Sequence, residues 1–183
     1  MENSDKEFWG YMDEICKYLW EAEAWHNVMA NQCRRVSVRG LGRWHECESM
    51  YDAQSRQCIE KILCDKLNWS CTPIVDLTPI LKMELRDLGA FKKHFDMWIE
   101  RETEFANILS CVLPIAAKED IELYKELMCL LDEVQNEKLR ASFFVKRMGL
   151  KDWDLHDLGV VSMVIHNYFE NEYKGGKIDF NLG

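Results

Sequence analysis

Between Asp120 and Gly149, apolar residues recur with a strict three-four spacing: Leu123, Leu127, Leu130, Val134, Ala141, Phe144 and Met148. That period lines one face of an α-helix and is incompatible with a strand, whose side chains alternate every second residue. Asp120 suits the N-cap, and Gly149 stands where a terminating glycine is expected. The stripe Phe91, Phe95, Trp98, Phe105, Leu109, Val112 predicts another long helix over residues 85–113, which Pro114 should kink or end. Only three Pro and nine Gly are spread over 183 residues, too few to punctuate a chain of many short strands. The expected fold is therefore all-α and, with no internal repeat or composition shift, a single domain over residues 1–183.

Two further long helices are predicted upstream. The first, over residues 8–36, carries Phe8, Met12, Ile15, Leu19, Ala22, Met29 and Cys33, and Gly40 and Gly42 should break it. The second, over 43–67, has Trp44, Cys47, Tyr51, Cys58 and Ile62 on its more apolar face. The segment NWSCTPIVDLTPILKME then forms a crossover long enough to start the next helix at the far end of a bundle. A shorter fifth helix is expected over 155–173, before the polar tail NEYKGGKIDFNLG.

Charge and cysteine usage bound the partners. With 32 acidic against 23 basic residues the formal charge is −9, which opposes binding to a nucleic-acid backbone or an anionic membrane and favours cations. The eight cysteines form no C-x-x-C pair, the acidic start MENSDKEFWG has no features of a signal peptide, and the longest apolar stretch is too short to span a bilayer. Reduced, buried thiols in a soluble cytoplasmic protein are expected.

The residues that interrupt the stripes point to chemistry, because a charge at a core-facing position must be paired, protonated or bound to a metal. Glu137 is the only charged member of the fourth-helix series, and Glu102 stands in the same situation between Trp98 and Phe105. In the first helix the series Met12, Cys16, Leu19, Glu23, His26, Ala30, Cys33 sets Glu23 and His26 one turn apart as an E-x-x-H. Such a turn offers a carboxylate and an imidazole to one metal pair, and that donor set suits iron or manganese. Each residue also has an ordinary alternative: a glutamate at the stripe's edge paired with Lys or Arg, or a hydrogen-bonded core histidine. On the second helix His45, Glu48, Asp52 and Ser55 share a face expected to be solvated, with Asp52 the first choice should one of them turn inward.

This layout resembles the ferritin-like superfamily. The segment E-R-E-T-E-F-A-N-I-L-S-C-V-L-P-I-A-A-K-E-D looks like the ferritin third helix, with its metal-binding glutamate on Glu102, and D-I-E-L-Y-K-E-L-M-C-L-L-D-E-V-Q-N-E-K-L is similar to the fourth, with glutamates on Glu137 and Glu133. The second helix aligns from Gly40 and sets the family's E-x-x-H on Asp52-Ala53-Gln54-Ser55, so a serine stands where the family has histidine. Val134 occupies a position where the family carries a glutamine or carboxylate, and an ungapped first helix sets Leu19 rather than Glu23 at its glutamate. The resemblance implies an up-down-down-up four-helix bundle with a long crossover and a short C-terminal fifth helix. It further implies a di-iron centre of Glu23, His26, Asp52, Glu102 and Glu137, which oxidises Fe(II) with dioxygen or peroxide, and iron storage in a homo-oligomer. Tyr18, Tyr51, Trp25 and Trp98 stand where they would supply electrons or pack. The competing expectation is a metal-free bundle, a degenerate ferritin-like or a Bcl-2-like module, that binds a partner helix in an apolar groove. A small Dps-like shell is suggested only by Trp25-His26-Asn27-Val28.

Overall fold

The structure, a computed structural model, describes residues 2–173 except 72, 79–81 and 83, with backbone alone for 2–6 and 165–173. Part of the expected crossover and residues 174–183 of the polar tail lie outside the described residues. The described residues form five helices and no strand: α1 Glu2–Arg35, α2 Arg39–Leu67, α3 Leu88–Glu119, α4 Ile121–Met148 and α5 Leu155–Tyr173. The helices pack in pairs, α1 on α2 and α3 on α4, with α5 against α2. No described helix is long and apolar enough to cross a membrane.

Local chemistry sets the ends. Asp120 is the sole residue between α3 and α4, and its carboxylate accepts from the backbone N–H groups of Glu122 and Leu123 at 2.8 and 2.9 Å, satisfying two donors that the helix leaves free. Asp87 caps α3 in the same way through the N–H of Ala90. Asn68 ends α2 in the left-handed conformation, with φ 53°, and donates its N–H to the carbonyl of Leu63.

Two boundary expectations are corrected. Pro114 lies inside α3, which runs on to Glu119: burial of Val112, Leu113 and Ala116 outweighs the single helical hydrogen bond that proline removes. Gly149 does close α4 where the sequence placed the end, although with φ −79° its left-handed freedom is not used. Gly40 and Gly42 do not break the chain; they belong to the first turn of α2, and the break falls at residues 36–38, where Ser37 takes φ 65°. The thiols are corrected too: Cys16 and Cys33 are buried, but Cys58, Cys64 and Cys111 are exposed.

Gly40 serves contact. A Cβ built there would come within 2.4 Å of the backbone nitrogen of Met163, so α5 rests directly on the backbone of α2. Gly40→Ala is expected to push α5 away and cost about 1–3 kcal/mol. Gly10→Ala, with nothing within 4 Å of its Cβ, is expected instead to gain about 0.5–1 kcal/mol by helix propensity. Denaturant unfolding of both variants checks the pair; equal effects would contradict the contact.

The apolar core falls into two parts. One contains Phe8, Met12, Leu19, Ile59, Leu63, Phe105, Leu109, Leu127 and Val134. The other contains Trp25, Met29, Leu41, Trp44, Phe91, Phe95, Trp98, Ala141 and Phe144. Along every one of the four long helices, a buried polar residue falls between or beside these sets.

Candidate metal centre

The buried polar layer comprises His26 from α1, His45, Glu48, Ser49, Asp52, Ser55 and Arg56 from α2, His94 and Glu102 from α3, and Glu137 from α4. Four helices thus contribute to one polar region of the bundle, about three turns deep along α2, and each polar residue continues the three-four series of its own apolar stripe.

α2 turns largely opposite to the expected orientation, although Trp44 is buried as anticipated. His45, Glu48, Asp52 and Ser55, anticipated as a solvated face, are buried, while Cys58 is exposed and Cys47, Tyr51 and Ile62 are half-buried. The polar face turns inward because the other helices supply groups to meet it. Arg140 of α4 donates to Glu48 at 3.2 Å and to Glu133 at 3.1 Å, and the indole N–H of Trp44 donates to Glu48.

Glu102 and Glu137 face inward as the stripes predicted. The Tyr18 hydroxyl donates to Glu102 at 2.5 Å, and the Trp98 indole N–H reaches both carboxylates, Glu102 at 3.2 Å and Glu137 at 3.1 Å. Glu23 takes the ordinary alternative: its side chain is 27% exposed and pairs with Arg56 at 3.1 Å. The E-x-x-H therefore splits, with Glu23 at the rim and His26 fully buried.

His26 meets carboxylates from two other helices. Its Nε2 lies 3.8 Å from Asp52 Oδ2 and 4.0 Å from Glu137 Oε2, beyond hydrogen-bonding range. Neither His26 Nε2 nor Asp52 Oδ2 has any hydrogen-bond partner, although both are buried. Leaving such atoms unmet is costly, and native proteins rarely do so without a reason. Donor atoms about 2.0–2.2 Å from a shared metal ion stand roughly 3–4 Å from one another, which is the spacing seen here. Beside this group, Glu48, Glu133 and Glu137 offer oxygens that all lie within 4.8 Å of one another. Glu137 belongs to both sets.

The electrostatics are those of a crowded acidic interior. Burial pushes the carboxyls of Glu48 and Glu102 up to about 7. Asp52 and Glu137 are raised well above the usual range, first by burial and then by the neighbouring carboxylates. Burial holds the imidazoles of His26 and His94 down to about 3 and that of His45 well below its ordinary value, so all three rings are neutral. Neutral imidazole is the form that ligates a metal.

Of the residues anticipated from sequence, the structure brings His26, Asp52, Glu102 and Glu137 into one layer and sets Glu23 at its edge. Glu48, His45 and His94 were missed. His94 lies three residues after Phe91 and four before Trp98, so its place in the α3 stripe was legible. The series His45, Glu48, Asp52, Ser55, Ile59 carried the same signal on α2. A scan against protein-family models and a search of curated proteins find no match to this chain.

Proposed function

We propose that this helical bundle binds first-row transition metal, iron or manganese, in its mid-bundle polar layer, and that its reaction is the oxidation of Fe(II) implied by the resemblance to the ferritin-like superfamily. The observation that carries the proposal is the pair of buried, partnerless donors, His26 Nε2 and Asp52 Oδ2, beside Glu137. One ion would take His26, Asp52 and Glu137, and a second would take Glu137, Glu48 and Glu133 by displacing the Arg140 guanidinium that now pairs with Glu48 and Glu133. Imidazole and carboxylate together suit Fe(II) or Mn(II). Burial opposes the charge of so many interior acids, a cost that a bound cation would offset.

The order of side-chain contacts supports an up-down-down-up arrangement. His26 meets His45 while Glu23 meets Arg56, which runs α2 against α1. His45 meets His94 while Lys66 meets Asp120, which runs α3 along α2. Phe95 meets Phe144 while Trp98 meets Glu137, which runs α4 against α3.

As substrate, two Fe(II) would give up one electron each to dioxygen, which takes two protons and leaves as hydrogen peroxide. The role of this chain's residues is to hold both ions side by side and to release carboxyl protons as the ions enter. Storage of the product in a homo-oligomeric shell in the cytoplasm rests on the resemblance alone, and a native mass many times that of one chain would support it.

Anaerobic Fe(II) titration of the purified chain is expected to saturate at about two ions per chain. Glu137→Gln, which keeps the side-chain size, should weaken binding on the order of 100-fold or more. Binding no stronger than that of a Glu102→Ala/Glu137→Ala double variant would overturn the reading, and a monomer that captures an amphipathic helix instead would favour the interaction module.

A further inference from the structure

His26, His45 and His94 form an unbroken file across three helices. His26 Nδ1 faces His45 Nδ1 at 2.9 Å, and His45 Nε2 faces His94 Nε2 at 3.4 Å. All three rings are buried, and the two outer nitrogens of the file, His26 Nε2 and His94 Nδ1, have no hydrogen-bond partner. Trp25 and Trp98 hold the file from the sides, within 4.9–6.0 Å of the His26 and His94 rings.

A neutral imidazole has one N–H and one lone pair, so each contact in the file needs an N–H on one side and a lone pair on the other. Only two arrangements satisfy both contacts. In one, His26 carries its proton on Nε2, His45 on Nδ1 and His94 on Nε2. In the other, the protons sit on His26 Nδ1, His45 Nε2 and His94 Nδ1. Inverting a single ring would set two N–H groups or two lone pairs head to head, so the three tautomers are coupled.

We infer that His45 and His94 are positioning residues that set the tautomer of His26, and that metal occupancy at His26 Nε2 inverts all three rings together. The inference rests on the metal-binding reading for its trigger, but the coupling follows from the file itself. Without metal, the first arrangement directs an N–H at the carboxyl groups of Asp52 and Glu137 and leaves only a lone pair at His94 Nδ1 among aromatic rings. A bound ion requires the His26 Nε2 lone pair and so selects the second. On inversion one proton leaves at His26 Nε2 and one is taken from water at His94 Nδ1, while the two inner protons each cross one contact; three protons remain on three rings and the charge of the file is unchanged. A metal-ligating histidine whose other nitrogen is held this way has its orientation and basicity fixed by its partner.

Nitrogen-15 NMR of histidine-labelled protein reads the tautomers directly, since the N–H and lone-pair nitrogens of a neutral imidazole have widely separated shifts, and Zn(II) serves as a diamagnetic probe. The expected result is the first arrangement in metal-free protein and simultaneous exchange of the two nitrogen shifts on all three rings as Zn(II) saturates. If Zn(II) shifts His26 while His94 keeps its tautomer, the relay is wrong and the metal site stands. If Zn(II) leaves His26 untouched, the metal reading fails, and the metal-free spectrum then decides the coupling: either of the two matched arrangements upholds it, and any mixed pattern overturns it. Replacing His94 by Phe should leave Zn(II) binding measurable but weaken it about 10–100-fold, and His94→Gln, which restores a polar group at the His45 contact, should recover part of the loss.

Discussion

Metal-free protein is expected to lose stability as the pH rises from 6 to 8, opposite to the behaviour of a protein whose carboxylates are salt-bridged. Glu48 and Glu102 have their folded-state pKa raised from 4.5 to about 7, and Asp52 and Glu137 are also raised well above their ordinary values. Between the unfolded and folded values the folded chain holds more protons than the unfolded one, so each increment of pH favours unfolding, by about 1.4 kcal/mol per pH unit for each such group. The histidines act with the opposite sign. Their folded pKa is depressed, so they favour the folded state above 6.5 and lose that advantage as the pH falls toward about 3. The two sets oppose each other between about 4.5 and 6.5, and above 6.5 the carboxyls act alone. Thermal unfolding in the presence of a chelator should therefore show its highest Tm near pH 5–6, with a fall of several kcal/mol in stability by pH 8. Bound Fe(II) or Mn(II) should remove that fall, because the ion replaces the protons and binds more tightly as they leave. A metal-free Tm that rises from pH 6 to 8 would contradict the buried acidic layer.

Trp98→Ala is expected to be the most damaging single substitution in the core. The residue is fully buried, packs against Trp44 at 5.0 Å and Phe95 at 5.6 Å between ring centroids, and supplies the N–H that reaches both Glu102 and Glu137. Loss of the ring costs about 3–5 kcal/mol through the cavity. The two carboxyls also lose a donor, for about 1–3 kcal/mol more. Trp98→Phe separates the parts, since it retains most of the volume and removes only the N–H. It should cost the smaller amount in a denaturant titration while reducing Fe(II) affinity about as much as a lost supporting hydrogen bond does, roughly 10-fold or more. Wild-type affinity in the Phe variant would show that the indole N–H does not orient Glu137.

The α3 and α4 helices were legible because their apolar residues outnumber the exceptions, so Glu102 and Glu137 stood out as exceptions. On α2 the reverse held. His45, Glu48, Asp52 and Ser55 make the inward face polar, and a pattern of hydrophobicity assigns such a face to water. Only the groups that meet it from other helices, Arg140, His26 and His94, turn it inward, and pairings across helices leave no mark on one helix's own periodicity. His94 was hidden for a related reason: the strong neighbours Phe91, Phe95 and Trp98 defined the stripe without it. Glu23 erred in the other direction, since its place in the series was right but Arg56, one turn from Asp52 on α2, reaches it at the rim. Pro114 shows the limit of local rules, where core packing on both sides carries a helix through a residue that ends most helices.

The division of the core by a polar layer also fixes the alignment of the helices along the bundle axis. Aliphatic and aromatic side chains tolerate many alignments, since one apolar layer substitutes for another. Sliding any helix by a single turn, about 5.4 Å, would carry His26, Glu102 or Glu137 into an apolar layer and leave its partners facing hydrocarbon. Such a slip separates His26, Glu102 or Glu137 from the groups that meet it on other helices, whereas the native alignment keeps the Tyr18 hydroxyl on Glu102 and the Trp98 indole N–H on both glutamates. The layer that equips the bundle for chemistry thus also works as its vernier, rejecting each neighbouring alignment that the apolar stripes alone would accept.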